Sequence, residues 1–289
     1  MRRTRTTLTA RLLALLAIMI VSGVLTRPAM AAFESLFAPK AAIWERWTAH
    51  DPASKTRIDH GAWAGFLKRY VIRSADGINR VAYAKVTQAD RRALDAYVGQ
   101  LAAAKVNRLS RTEQRAYWIN LYNALTLKVV LARYPVASIR DIDISPGLFA
   151  DGPWDRKLVT IEGTKVSLND IEHRILRPIW RDPRIHYALN CASLGCPNLR
   201  RDAYTAANTN ALLEAGARDY INSRRGVTFD GSSLVVSSIY VWFKPDFGGS
   251  DASVIGHLRR YAAPALGKKL VRASSIGRHV YDWRLNDRK

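Results

Sequence analysis

The chain has 289 residues, a formal net charge of +21 and 48% hydrophobic residues. This length and apolar content are enough to bury a real core, which excludes intrinsic disorder as the main description of the chain. Because the only cysteines are Cys191 and Cys196, the sequence also excludes a multi-disulfide framework and a four-cysteine zinc site.

The first 31 residues are typical of a secretory signal peptide. A basic start precedes an apolar run from Leu12 to Leu25, and Ala29-Met30-Ala31 has the small-x-small pattern of a signal peptidase site. We therefore predict cleavage after residue 31 and an exported protein that is periplasmic or secreted. A retained membrane anchor is the alternative, but about 14 apolar residues are fewer than the roughly 20 that a spanning helix needs. No transmembrane segment is expected once the signal peptide is removed.

Residues 32–59 are predicted as an N-terminal extension and residues 60–289 as one domain. Removing residues 1–31 takes away five arginines and no acidic residue, so the mature chain keeps a formal charge of +16. Its basic pairs are scattered and lack interleaved aromatic residues, so nucleic acid is not an expected partner. Anionic envelope components, such as phospholipid head groups, are one candidate partner. A solvated basic surface without a binding role is the alternative.

Helical and strand patterns follow one another along the mature chain. In the first half we predict short helices at 43–50 and 60–71, a strand at 79–86, and helices at 89–106 and about 111–133. In the second half we predict hairpins at 158–167 and 227–238, helices at 167–180, 208–222 and 253–261, and strands at 185–190 and 280–283. Because most strands belong to hairpins rather than to strand-helix-strand units, the predicted fold is α+β, mainly helical, with short antiparallel strands.

The central helix, predicted at about 111–133, is apolar nearly all round and should be buried. On a helical wheel, Glu113, Asn120 and Asn123 share one narrow polar stripe. A buried amide needs a partner, so the two asparagines either belong to a site or pin neighbouring loops by hydrogen bonds. Glu113 follows Ser110 by three residues and fits a capping box, a structural role that competes with a catalytic one.

The second segment of interest covers residues 184–197. Strand alternation places His186 and Cys191 on opposite faces, whereas a following turn would return Cys196 to the side of His186. Pro197 suits the first position of a helix, which would make Cys196 a capping residue with a stabilised thiolate. A thiol, an imidazole and a carboxamide are the parts of a cysteine hydrolase.

In this hydrolase hypothesis Cys196 is the nucleophile and His186 is the general base. Asn120 or Asn123 orients the imidazole or stabilises the oxyanion, and Cys191 is the alternative nucleophile. The competing interpretations are a local Cys191–Cys196 disulfide, inert buried thiols, and thiol-disulfide chemistry, which the four-residue spacing disfavours. A zinc site would need a fourth ligand that the sequence does not offer. No cofactor or metal is therefore expected.

Two motifs resemble the domain of unknown function 547 family: residues 116–125 (AYWINLYNAL) and residues 186–197 (HYALNCASLGCP). Residues 242–248 (WFKPDFG) and 281–286 (YDWRLN) are similar to later blocks of that family. The family has no settled activity, so the resemblance supports the domain and the choice of residues without naming a substrate. Two functions stay open: a thiol-dependent hydrolase of amide or ester bonds in the cell envelope, and a non-catalytic binding or scaffold module with a structural Cys191–Cys196 disulfide.

Overall fold

The computed structural model describes residues 38–147 and 152–289, so the predicted signal peptide lies outside the described residues. The helices are α1 (Gly61–Tyr70), α2 (Gln88–Ala103), α3 (Arg111–Arg133), α4 (Arg177–Trp180), α5 (Thr209–Ile221), α6 (Ile239–Trp242), α7 (Asp251–Tyr261) and α8 (Pro264–Leu270). The strands are β1 (Val71–Arg73), β2 (Asn79–Val81), β3 (Val159–Ile161), β4 (Thr164–Val166), β5 (Val227–Asp230), β6 (Ser233–Ser237) and β7 (Arg278–Val280). A π-helical segment, Asp170–Leu176, leads directly into α4.

The predicted fold class is confirmed: the protein is α+β, mainly helical, with short strand pairs. Three pairs are antiparallel, namely β1 with β2, β3 with β4, and β5 with β6. The last strand, β7, instead joins β6 in parallel. The chain between β6 and β7 contains α6, α7 and α8, which is the kind of long crossover that a parallel pair requires.

Helix α3 is the buried centre of the core, as predicted. It begins at Arg111, after the N-cap Ser110, whose Oγ accepts a hydrogen bond from the Glu113 backbone N–H at 3.4 Å, and it ends at Arg133, directly before Tyr134-Pro135. Its tyrosines and tryptophan, Tyr117, Trp118 and Tyr122, are each 2% exposed or less. Because apolar residues surround this helix, its few polar side chains must find partners inside the core.

Residues that precede α1 also pack on this core. Trp47 is 1% exposed, and its ring lies edge-on to Trp118 with the centroids 5.1 Å apart. The backbone N–H groups of Ala42 and Trp44 donate to the carbonyl oxygens of His173 and Arg174 at 3.0 and 2.9 Å. The extension therefore runs along the π-helical segment and fixes one side of it.

The predicted strand at 185–190 is wrong. Residues Pro183–Tyr187 form a 3-10 helix instead, because Pro183 suits a first helical position and the Asp182 side chain accepts from the Arg184 backbone N–H at 2.9 Å. The strand argument that placed His186 opposite Cys191 therefore does not apply. The strand predicted at 79–86 ends at Val81, and a 3-10 turn follows it.

The helix predicted to start at Pro197 is also wrong. Residues 197–200 are neither helix nor strand, and the Pro197 carbonyl accepts a hydrogen bond from Asn190 Nδ2 at 2.7 Å. Cys196 therefore caps no helix. The strand predicted at 280–283 lies slightly earlier, at Arg278–Val280, and the residues after it make single bridges to other loops, such as Leu285 to Ser193.

Candidate functional site

His186 lies at the centre of a charged cluster. Its Nε2 is 2.7 Å from Asp246 Oδ2, and its Nδ1 is 3.6 Å from Glu172 Oε1. The imidazole stacks on the Phe243 ring, with centroids 4.6 Å apart and planes 8° from parallel. The His186 side chain is 2% exposed, whereas those of Glu172 and Asp246 are 12% and 19% exposed. The imidazole is thus buried behind two carboxylates that solvent reaches.

Arg177 binds the far side of the same carboxylate. Its Nε and Nη2 donate to the two oxygens of Asp246 at 2.6 and 3.2 Å, which is a bidentate pair. Its Nη1 is 2.8 Å from His173 Nδ1. Since a guanidinium only donates, His173 accepts through Nδ1 and carries its proton on the other nitrogen. The guanidinium carbon lies 4.5 Å from the centroid of Phe243.

The two histidines of the cluster have opposite pKa shifts. Burial lowers the pKa of His186, but hydrogen bonds to Asp246 and Glu172 outweigh burial and raise the pKa above its usual value. Burial lowers the pKa of His173 to about 4, because the attraction of Glu172 is too weak to compensate and Arg177 adds repulsion. The cluster therefore stabilises the charged form of His186 and the neutral form of His173.

Both carboxylates of the cluster stay ionised. Burial raises the pKa of Glu172, but His173, His186 and Arg177 together bring that pKa down to about 2. For Asp246, burial is likewise outweighed by hydrogen bonds from His186 and Arg177, which hold its pKa well below the usual range. Two anions and two cations thus balance within the cluster. Chemically this arrangement holds a protonated imidazole in place, and it leaves neither ring nitrogen of His186 free to take a proton.

Cys191 and Cys196 form a disulfide. Cys196 is 2% exposed, while Cys191 is partly exposed. The Cys191 N–H donates to Cys196 Sγ at 2.9 Å, and the Tyr281 hydroxyl lies 3.0 and 3.2 Å from the two sulfur atoms. Among the described residues, no hydrogen bond or ring contact joins His186 to either cysteine. The structure therefore does not bring the predicted nucleophile and base together.

The asparagines of α3 bind backbone rather than the imidazole. Asn120 donates to the Tyr204 carbonyl at 2.7 Å and accepts from the Tyr204 N–H at 3.0 Å. Asn123 donates to the Ala188 carbonyl and accepts from the Asn190 N–H, both at 2.9 Å. Each carboxamide thus pins one neighbouring loop to the central helix, which is the loop-pinning alternative weighed from the sequence.

Glu113 bonds to the chain that precedes α1. Its Oε1 accepts from the Ile58 backbone N–H at 2.8 Å, and its Oε2 is 3.9 Å from Arg57 Nε. The Ser110 half of the expected capping box is present, but the Glu113 carboxylate reaches a different segment. This side chain is 2% exposed and makes no contact with the His186 cluster in the described part of the chain.

Sequence reasoning missed Glu172, Arg177 and Asp246 as neighbours of His186. Asp246 stands in the WFKPDFG block and in a 3-10 turn, Lys244–Phe247. A signal existed for Arg177: it follows His173 by four residues, so the two side chains share one helix face. The fold that joins this face to the 3-10 turn could not be read from local patterns.

A cluster of five partly exposed aromatic rings, one of which is Phe243, lies beside the disulfide. The Tyr281 and Trp283 centroids are 4.7 Å apart, Trp242 is 4.9 Å from Tyr281 and 5.7 Å from Trp283, and Trp154 is 5.7 Å from Trp283. All five rings are partly exposed. We call this set, Trp154, Trp242, Phe243, Tyr281 and Trp283, the aromatic patch.

The disulfide loop is hydrogen-bonded to the chain segment that carries two rings of the aromatic patch. Leu194 N–H donates to the Arg284 carbonyl and Gly195 N–H donates to the Asp282 carbonyl, both at 2.8 Å. A Cβ atom on Gly195 would lie 2.7 Å from the Asp282 backbone nitrogen. A glycine is therefore required for this close approach of the two segments.

Within residues 38–147 and 152–289, no group of three histidine, cysteine or acidic side chains is arranged to hold a metal ion. None of the helices in the described ranges is long and apolar enough to cross a bilayer.

Residues 106–221 match a family model described as "Protein of unknown function, DUF547". This confirms the resemblance found in the sequence, and the match includes Asn120, Asn123, His186 and both cysteines. Asp246 and most of the aromatic patch lie outside the DUF547 match. Neither the curated proteins nor the solved structures contain a match to this chain.

Proposed function

We propose that the protein is an exported, non-catalytic binding module of the cell envelope, and that the Cys191–Cys196 disulfide has a structural role. The observation that carries this proposal is the pairing of the two sulfur atoms with each other. A disulfide sulfur is not the thiolate that a cysteine hydrolase requires. The partly exposed aromatic patch then offers the binding surface.

The cysteine loop supports this proposal through its neighbours. It hydrogen-bonds to the segment that carries Tyr281 and Trp283, so a closed loop gives the patch a rigid base. Rigid support lowers the entropy lost when a ligand orders a binding surface. Among the described residues both α3 asparagines and His186 are engaged by other protein groups, which also favours a structural over a catalytic use.

Two features support the proposal that the protein is exported: the composition of residues 1–31 and the oxidised cysteines. Disulfides persist in the periplasm and outside the cell, whereas cytosolic thiols are kept reduced. The excess positive charge of the mature chain is suited to a compartment bounded by anionic lipids and polymers. Anionic envelope components are accordingly proposed as general surface partners.

A thiol-dependent hydrolase of amide or ester bonds is the second candidate, favoured by one observation. The sulfur atoms receive contacts from the Cys191 N–H, the Tyr281 hydroxyl and the Ser193 hydroxyl, the last at 3.3 Å from Cys191 Sγ. In a chain whose two cysteines are free thiols, the Cys191 N–H and the Tyr281 hydroxyl would stabilise a Cys196 thiolate. That thiolate would attack the carbonyl carbon and expel the amine or alcohol, which takes a proton from solvent, and water would then hydrolyse the thioester to release the acid and restore the thiol.

Alkylation of the purified mature protein with iodoacetamide separates these two functions. We expect no labelling of Cys191 or Cys196 between pH 6 and 9 until a reductant is added, read by peptide mass spectrometry. Rapid labelling of Cys196 near neutral pH without reductant, lost in His186→Ala but retained in His50→Ala, would overturn the binding module and support the hydrolase. His50 is an exposed histidine outside the cluster and serves as the matched control.

A further inference from the structure

The three acidic residues beside the aromatic patch are each paired with a basic side chain. Glu172 and Asp246, at the end of the patch near Phe243, are matched by His186 and Arg177. At the other end Asp282 is matched by Arg284, whose Nη2 lies 2.6 Å from Asp282 Oδ2. The guanidinium of Arg140 lies 5.3 Å from the centroid of Trp283.

Because these carboxylates are already paired with cations, the patch favours some classes of ligand over others. A cationic ligand would need an aromatic cage with unpaired negative charge, but the two carboxylates are already bound to cations. An anionic polymer would need unpaired cations, and Arg177 and His186 are bound to carboxylates. A neutral ligand that offers both apolar faces and polar groups fits better, because binding sites of this kind are mainly aromatic with a few fixed polar groups.

We propose that the aromatic patch binds a neutral oligosaccharide. A sugar ring has flat C–H faces that pack on aromatic side chains, and the partly exposed rings of the patch supply large apolar area with few rotatable bonds. Sugar hydroxyls can donate to the partly exposed carboxylates of Glu172 and Asp246. This inference rests on the proposed function, and it identifies the ligand class of that binding surface.

The aromatic patch offers more apolar area than one sugar unit needs. The centroid of Trp283 lies 5.7 Å from those of Trp154 and Trp242, and Phe243 is 6.5 Å from Trp242. Four neighbouring rings together present more apolar surface than one pyranose ring covers. We therefore expect affinity to rise with chain length from one sugar unit to four.

The test is a titration of the mature, oxidised protein with chitotetraose and, separately, with cellotetraose, followed by tryptophan emission and by calorimetry. The two neutral probes differ in the acetamido group, so their comparison shows whether that group is read. We expect saturable binding of at least one tetramer and about tenfold or more weaker binding in Trp283→Ala, the loss produced by removing a central aromatic contact.

Trp180→Ala is the matched control. Trp180 is also partly exposed and also lies near a guanidinium, with Arg111 5.6 Å from its centroid, but it lies outside the patch. We expect its affinity to stay within about twofold of the parent, well under the tenfold that 1.4 kcal/mol represents. Circular dichroism and a conservative Trp283→Phe variant, which keeps a ring and should keep most of the binding, guard against a folding defect.

Three outcomes would overturn the inference: no binding of either tetramer, binding that Trp283→Ala leaves unchanged, or displacement of the sugar by tetramethylammonium or polyphosphate at matched ionic strength. These outcomes are distinct from failure of the proposed function. A protein whose cysteines are disulfide-bonded but that ignores both sugars remains a binding module with another ligand. A protein whose Cys196 alkylates rapidly without reductant loses the proposed function whatever the titration shows.

Discussion

Two buried polar regions of this protein differ in the groups to which their side chains hydrogen-bond. The α3 asparagines, Asn120 and Asn123, bind backbone groups of loops through two bonds each. The His186 cluster instead binds side chain to side chain, through carboxylates and Arg177. An amide bound to backbone has no second charge state near neutral pH, whereas a histidine between carboxylates has one. The first region can only hold the fold, and the second can also respond to solution conditions.

This difference teaches how to read a buried polar residue in a sequence. Asparagine, histidine and cysteine on neighbouring segments suggest one catalytic set when their types alone are considered. Their partners separate them into a loop-pinning pair, an ionic cluster and a disulfide. The role of each buried polar residue depends on the group it bonds to, and the sequence alone does not reveal that group.

The largest expected effect is the loss of stability when Asn123 is replaced. Asn123→Leu would leave the Ala188 carbonyl and the Asn190 N–H buried without partners, at about 1–3 kcal/mol each. We expect the free energy of unfolding to fall by about 4 kcal/mol, measured by urea denaturation. Asn210→Leu, on the exposed face of α5, is the control and should change it by less than about 0.5 kcal/mol. A loss for Asn123→Leu no larger than that of the control would contradict the loop-pinning role.

The next largest expected effect is the loss of stability when the Cys191–Cys196 disulfide is removed. Cys191 and Cys196 are five residues apart in the sequence, and closing so short a loop stabilises by about 2 kcal/mol on the chain-entropy account. Replacing both cysteines by alanine should lower the free energy of unfolding by about that amount. Added dithiothreitol should destabilise the parent protein similarly and leave the double variant unchanged. Equal sensitivity of parent and double variant to reductant would contradict this expectation.

Much of the fold was predictable from local patterns. A cap at Ser110 and a stop before Tyr134-Pro135 bracket a long apolar run and predict helix α3 at 111–133. The strong turn signal Asp230-Gly231 predicts the β5-β6 hairpin. Both signals lie within a few residues of the element they define, so no tertiary information is needed.

The errors share one physical cause. Residues 185–190 are apolar enough for a buried strand, but Asp182 and Pro183 start a 3-10 helix there, and Asn123 then takes the Asn190 N–H that a strand would have used. The pairing of His186 with Asp246 joins residues 60 apart in sequence. Local patterns predict which residues are polar and buried, but long-range packing decides which of them meet.

The smallest expected effect sharpens the comparison within the ionic cluster itself, because its two histidines should respond to pH with opposite signs. The pKa of His173 is lowered to about 4, so the unfolded chain binds a proton first. Its stabilisation is complete above the unfolded pKa of about 6.5 and is lost as the pH falls from about 6.5 towards 4. The pKa of His186 is raised, so its stabilisation is complete below about 6.5 and is lost as the pH rises through the folded value.

Urea denaturation at several pH values would separate these contributions. We expect one buried neutral histidine to cost about 1 kcal/mol between pH 7.5 and 5.5. His173→Gln, which keeps an acceptor for Arg177, should remove about that much of the acid-side loss. His186→Gln should instead remove the loss on the alkaline side, and His50→Gln, at an exposed histidine, should leave the pH profile unchanged. If His173→Gln and His186→Gln changed the profile in the same direction, the two histidines would share one charge state, and the cluster would behave like the asparagine pair, as a fixed part of the fold.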